Sequence, residues 1–130
     1  MKMRRNLTFL LMACVLYSPA SVAGQDSRNN PIQTNLTAQN EYERKALRLV
    51  ALIQAGDTEG ATAYDAACAF ALAGKKEEAF RYLELAIARG YANPEHMKRD
   101  SDLEPLRTDP RWQPLITKAE AKRTEQQSLF

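Results

Sequence analysis

His96 is the only histidine of this chain, and Cys14 and Cys68 are its two cysteines. A single imidazole excludes a two-histidine metal site, and periodicity puts Cys68 on an apolar helix face far from His96, so no zinc-type ligand spacing arises. A nucleophile–base–acid set can be drawn only from Ser101, His96 and Asp100, crowded into residues 96–101. The same stretch is better explained by helix starts: Asn93-Pro94, Ser101-Asp102-Leu103-Glu104 and Asp109-Pro110 all carry capping chemistry. The sequence has no Gly-rich phosphate loop and no nucleophile elbow. Glu77, Glu78 and Glu84 fall on the solvated side of a helix, with Glu77 and Arg81, and Glu78 and Tyr82, as i,i+4 neighbours. The expectation is a non-enzyme with no catalytic, cofactor-binding or metal residue.

The elements that would position these residues centre on residues 64–89, YDAACAFALAGKKEEAFRYLELAIAR. Tyr64, Ala67, Cys68 and Ala71 recur at helical spacing on one apolar face. Gly74 is a left-handed C-cap, and the charged run from Lys75 to Glu78 opens a second helix. That helix buries Ala79, Leu83, Ala86 and Ile87, with Phe80 beside them, and ends at Arg89-Gly90. Small residues facing small residues let two backbones approach closely in an antiparallel hairpin.

Phe70, Gly74 and the set Ala79, Leu83 and Ala86 resemble the tetratricopeptide repeat, a helix-turn-helix unit of about 34 residues. The likeness covers residue 64 to about residue 122. It departs from the pattern at Ala63, where a Trp is usual, at Ala66-Ala67, where Leu-Gly is usual, and at Pro94, which comes three residues late. The run from Asn93 through Pro105 to Trp112 looks like the segment that often closes such arrays in bacterial proteins. The resemblance implies an all-α fold of about one to one and a half repeats with short C-terminal capping helices. It also implies a groove along the first hairpin helix, lined by Tyr64, Asp65, Cys68 and Leu72. That helix carries no Lys or Arg, so an apolar or mixed peptide is the better ligand than an acidic tail.

Upstream, Asn40 with Glu43 forms a capping box. A helix over residues 42–55 with Tyr42, Ala46, Leu49, Val50 and Ile53 on one face then stops at Gly56. It would pack antiparallel on the first hairpin helix. Downstream, Leu103, Leu106, Trp112, Leu115 and Ile116 supply apolar side chains for a cap, with Trp112 as a core anchor. From Lys118 the sequence becomes solvated helix, and residues 123–130 are read as a frayed tail whose Leu129-Phe130 pair is a candidate docking element.

The first 23 residues read as a secretory signal peptide. Lys2, Arg4 and Arg5 precede an apolar run, and Ser21-Val22-Ala23 offers small residues for cleavage between Ala23 and Gly24. The apolar run is too short for a bilayer span of about 20 residues. Leu11-Met12-Ala13-Cys14 gives an alternative lipobox, with Cys14 lipidated and the protein anchored to the envelope. Residues 24–39 are polar and read as a flexible leader, followed by a helical domain over residues 40–122. The whole chain has a formal charge of +2, with 18 basic and 16 acidic side chains. Cleavage removes three of the basic ones, so the remainder is near neutral and gives no support for nucleic-acid binding. Cys68 is then a solitary thiol, read as a small buried hydrophobe.

The functional expectation is a periplasmic or secreted interaction or scaffolding module that holds another protein or a peptide segment. It has no cofactor, and it meets a membrane only if Cys14 is lipidated. The alternative expectation is an accessory assembly subunit of an envelope enzyme or transporter.

Overall fold

A computed structural model describes residues 31–130, so Cys14, Ala23 and Gly24, with the expected cleavage and lipidation sites, lie outside the described residues. The described chain is all-helical and contains no strand. Five α-helices and one 3-10 helix follow in order: α1 Pro31–Gln54, α2 Gly60–Leu72, α3 Lys76–Ala88, α4 Pro94–Arg99, the 3-10 helix Ser101–Leu106 and α5 Trp112–Gln127.

The centre of the molecule is α2. It packs against α1, α3 and the 3-10 helix, while α5 packs on α3 and α4. The sequence suggested a one-sided helix with its apolar face at Tyr64, Ala67, Cys68 and Ala71. In the structure Ala63, Ala66, Ala69 and Phe70 are buried as well, so α2 is enclosed on nearly all sides. The cause lies in its composition: a helix apolar around most of its circumference is stable only inside a layer of neighbours, and alanines allow several backbones to come close at once. Ala46 of α1 is fully buried, with Val50 and Ile53 packed beside the core. On the other side Ala79, Phe80, Leu83, Ala86 and Ile87 of α3 are buried, as their spacing predicted.

Gly74 turns α3 back on α2. Its φ of 76° lies in the left-handed region that side-chain-bearing residues rarely enter. The turn is closed by Lys75 N–H donating to Phe70 O at 2.9 Å and Gly74 N–H donating to Ala71 O at 3.1 Å, the double bond of a Schellman motif. Gly60 is the first residue of α2, where it is buried under the α3–α4 turn.

Two boundaries differ from the sequence reading. Helix α1 spans Pro31–Gln54, so Asn40 lies inside it and does not start it, and residues 31–39 of the expected leader are helical. At the other end α5 continues to Gln127. Its last turns are held by Arg123 pairing with Glu95 and by Gln126 Nε2 donating to Gly90 O at 2.9 Å. Leu129 and Phe130 beyond it are exposed.

The C-terminal cap forms around the expected apolar set: Leu103, Leu106, Trp112, Leu115 and Ile116 are all buried. Asn93 caps α4, accepting from His96 N–H at 3.1 Å, with Pro94 at the start of the helix. The 3-10 helix is capped by Asp100 and not by Ser101: Asp100 Oδ1 accepts from Asp102 N–H at 3.0 Å. Asp109 makes the same kind of contact with Arg111 N–H at 3.0 Å, just ahead of α5. Arg111 then clasps Glu77 of α3 through two bonds of 2.7 and 3.0 Å while its guanidinium lies 4.3 Å over the Phe80 ring. Glu77 therefore pairs across elements with Arg111, displacing the i,i+4 pair with Arg81 that the sequence suggested.

Candidate interaction site

Tyr64 and Cys68 sit one helical turn apart on α2, so both side chains leave the helix on the same side. Between them and the 3-10 helix stands Asp100. Tyr64 O–H donates to Asp100 Oδ2 at 2.7 Å, and the Cys68 thiol donates to the same oxygen at 3.7 Å. His96 Nε2 lies 3.4 Å from that oxygen. Arg107 Nη2 donates to the Asp100 backbone carbonyl at 2.8 Å. The Tyr64 ring stacks on Tyr91 with centroids 4.2 Å apart and an interplanar angle of 15°, and it meets the tilted His96 ring at 5.6 Å.

These contacts bring together residues that the sequence reading kept apart. Cys68 was expected far from His96, yet both reach one carboxylate. The reason is tertiary: α4 and the 3-10 helix fold back over α2 and set Asp100 above it. The Asx-type cap was legible in the sequence, but the hydroxyl and thiol it would serve, more than thirty residues upstream, left no local signal.

The electrostatics follow from enclosure. Burial pushes the Cys68 thiol up to about 12, and the Asp100 and Asp102 carboxylates add to the effect. Burial also raises the Tyr91 phenol to about 12 and, with the hydrogen bond to Asp100, holds Tyr64 well above the ordinary phenol range. Burial alone would raise Asp100. Hydrogen bonds from Tyr64 and the Asp102 amide, with His96 adjacent, outweigh it and hold the carboxyl below its ordinary value.

Three potential ligand atoms, from Cys68, Asp100 and Asp102, lie within 4.8 Å of one another. One ion could touch all three. The Asp100 oxygens, however, already accept from Tyr64, Cys68 and the Asp102 amide. The group is satisfied as a hydrogen-bond hub without an ion. Ser101 is exposed, and its side chain makes no hydrogen bond to His96 or Asp100 among the described residues.

The four residues expected to line a groove therefore divide. Tyr64 and Cys68 are buried, 4% and 7% exposed, beneath the chain's own Asp100 and 3-10 helix. Leu72 is half-buried and Asp65 is exposed. A molecule approaching this side of α2 meets Asp65, the outer edge of Tyr91 and the His96 ring. Tyr91 and His96 were not among the expected contacts, because only the turn after α3 and the start of α4 carry them to α2. No helix among the described residues is long and apolar enough to cross a membrane. No protein-family model, curated protein or solved structure matches the chain.

Proposed function

We propose that the protein is an exported, non-catalytic interaction module, a diverged tetratricopeptide-like hairpin closed by its own C-terminal segment, that presents the Asp65–Tyr91–His96 surface to another protein. The observation that carries this reading is the division at α2. The polar atoms of Tyr64 and Cys68 are engaged by Asp100, while an acidic side chain and two flat rings stay accessible just outside. Aromatic groups backed by a rigid, stacked neighbour are good contact surface, since little side-chain entropy is lost when they are covered. The short Gly74 turn and the packing of α1 and α3 on either side of α2 support the repeat-like reading. The basic, apolar and small-residue sequence of residues 1–23 supports export.

The test is site-specific photo-crosslinking in intact host cells with the crosslinking residue placed at position 65 or 91, read by mass spectrometry. The expected result is one defined partner at both positions, lost in Asp65→Lys and Tyr91→Ala chains that melt like the unaltered protein. A crosslinking pattern identical to that from exposed position 113 on α5 overturns the reading. The same spectra report the N-terminus. A peptide beginning at Gly24 supports export, a lipidated Cys14 moves the protein to the envelope as an anchored form, and a retained Met1 overturns export.

A further inference from the structure

Two carboxylates beside the Tyr64–Cys68 pair have no side-chain hydrogen bond or ion pair among the described residues: Asp65 of α2 and Asp102 of the 3-10 helix. Asp65 precedes Cys68 by three residues, so the two are neighbours on the helix surface. An Asp102 oxygen lies within 4.8 Å of the Cys68 sulfur. The thiol, almost covered, therefore sits between a carboxylate from each element. Beyond burial, the groups that hold this thiol up are the Asp100, Asp102 and Asp65 carboxylates, and Asp100 and Asp65 act on the Tyr91 phenol in the same direction. Arg107 is turned to the Asp100 backbone carbonyl at 2.8 Å and pairs with neither free carboxylate. Next to this negative surface stands a ring: Tyr91 is half-buried and is held by its stack on Tyr64, 4.2 Å between centroids.

We propose that this surface takes an arginine side chain of the partner protein, with the guanidinium against Tyr91 and paired to Asp65 and Asp102. The inference rests on the reading of the Asp65–Tyr91–His96 surface as an interaction site and adds what the partner must carry there. Charge excludes the other occupants. An acidic segment would face two unanswered carboxylates, and a wholly apolar one would strip them of water and leave them unpaired, which is costly. A cation is attracted by both carboxylates and by the π face of the ring. Arginine fits better than lysine because its planar fork presents donors in several directions while its flat face lies on an aromatic, whereas an ammonium is a compact point charge. The ring needs no reordering to receive it, since Tyr64 already fixes it from behind.

The test is a proton–nitrogen NMR titration of the purified full chain with a capped Gly-Leu-Arg-Leu-Gly peptide and two controls. In one control citrulline, which is flat and of similar size but neutral, replaces the arginine, and in the other glutamate does. The arginine peptide is expected to shift the Asp65, Tyr91 and Asp102 amide signals saturably, and both controls to bind at least ~10-fold more weakly. Asp65→Asn with Asp102→Asn should weaken the arginine peptide about 10-fold, and Tyr91→Leu about 3-fold. The Asn pair keeps size and breaks no side-chain contact, so its melting temperature should be unchanged. Absence of a saturable shift, a citrulline peptide that binds as well, or indifference to the Asn pair would each overturn the proposal. The two readings fail separately. A crosslink from position 65 or 91 to a partner segment without a basic residue keeps the interaction site and overturns the arginine. A saturable arginine shift with no crosslinked partner keeps the cradle and overturns the interaction module.

Discussion

Asp100 joins parts of the chain that have no local reason to meet. One carboxylate oxygen takes the Tyr64 hydroxyl and the Cys68 thiol of α2, and the other caps the 3-10 helix through the Asp102 amide. Asp100→Ala removes the acceptor from a buried hydroxyl and a buried thiol and uncaps a helix, so the expected loss is about 2–4 kcal/mol in urea unfolding. Asp100→Asn keeps an acceptor and should lose less. The pH dependence has a definite sign. Because the folded carboxyl lies below its unfolded value of 3.8, its contribution is fully present above that value and is lost as pH falls through the lower folded one. The stability difference between the unaltered chain and Asp100→Asn should therefore stay flat from pH 7 to about 5 and shrink below about 4. A difference that shrinks near neutrality would place the titrating group elsewhere. That Asp100 would cap a turn could be suspected from its place before Ser101-Asp102. That it would also satisfy Tyr64 and Cys68 could not, since a hub is defined by what folds over it.

At the scale of elements, the glycine positions carried most of what could be read. Gly56, Gly74 and Gly90 all have positive φ and follow the ends of α1, α2 and α3. The apolar spacing of α3 gave its buried face residue by residue. The pattern of α2 was less informative because burial on all sides erases periodicity, and the alanine-rich run could mark either a thin stripe or an enclosed helix. Gly60 shows what that enclosure requires. A Cβ there would lie 3.0 Å from both Ala86 O and Tyr91 N and 3.2 Å from Tyr91 Cβ. Two of these are backbone atoms fixed by the α3–α4 turn, where Tyr91 N–H already donates to Ala86 O at 2.9 Å. Gly60→Ala gains helix propensity but must push this turn outward, so a net loss of about 1–2 kcal/mol is expected, measured by thermal or urea unfolding. The shift would also carry Tyr91 away from Tyr64, so near-ultraviolet circular dichroism should weaken along with stability. An unchanged or higher midpoint would mean the turn yields freely and the close approach is incidental.

For the whole molecule, the buried core of the described residues begins at Ala46, while α1 extends from Pro31. Gln39 approaches Gly74 at the C-terminal end of α2, and Glu43 pairs with Lys75 at 3.4 Å, so α1 touches the α2–α3 turn through these residues. The turns before that point carry exposed Ile32 and Leu36. An isolated helical segment of this length is marginal in water and gains most of its order from packing. Removal of residues 1–38 should leave the urea midpoint nearly unchanged, within about 0.5 kcal/mol, because among the described residues the buried core begins at Ala46. If the truncated chain unfolds at much lower urea, the residues before Gln39 contribute to the packing of the helical body.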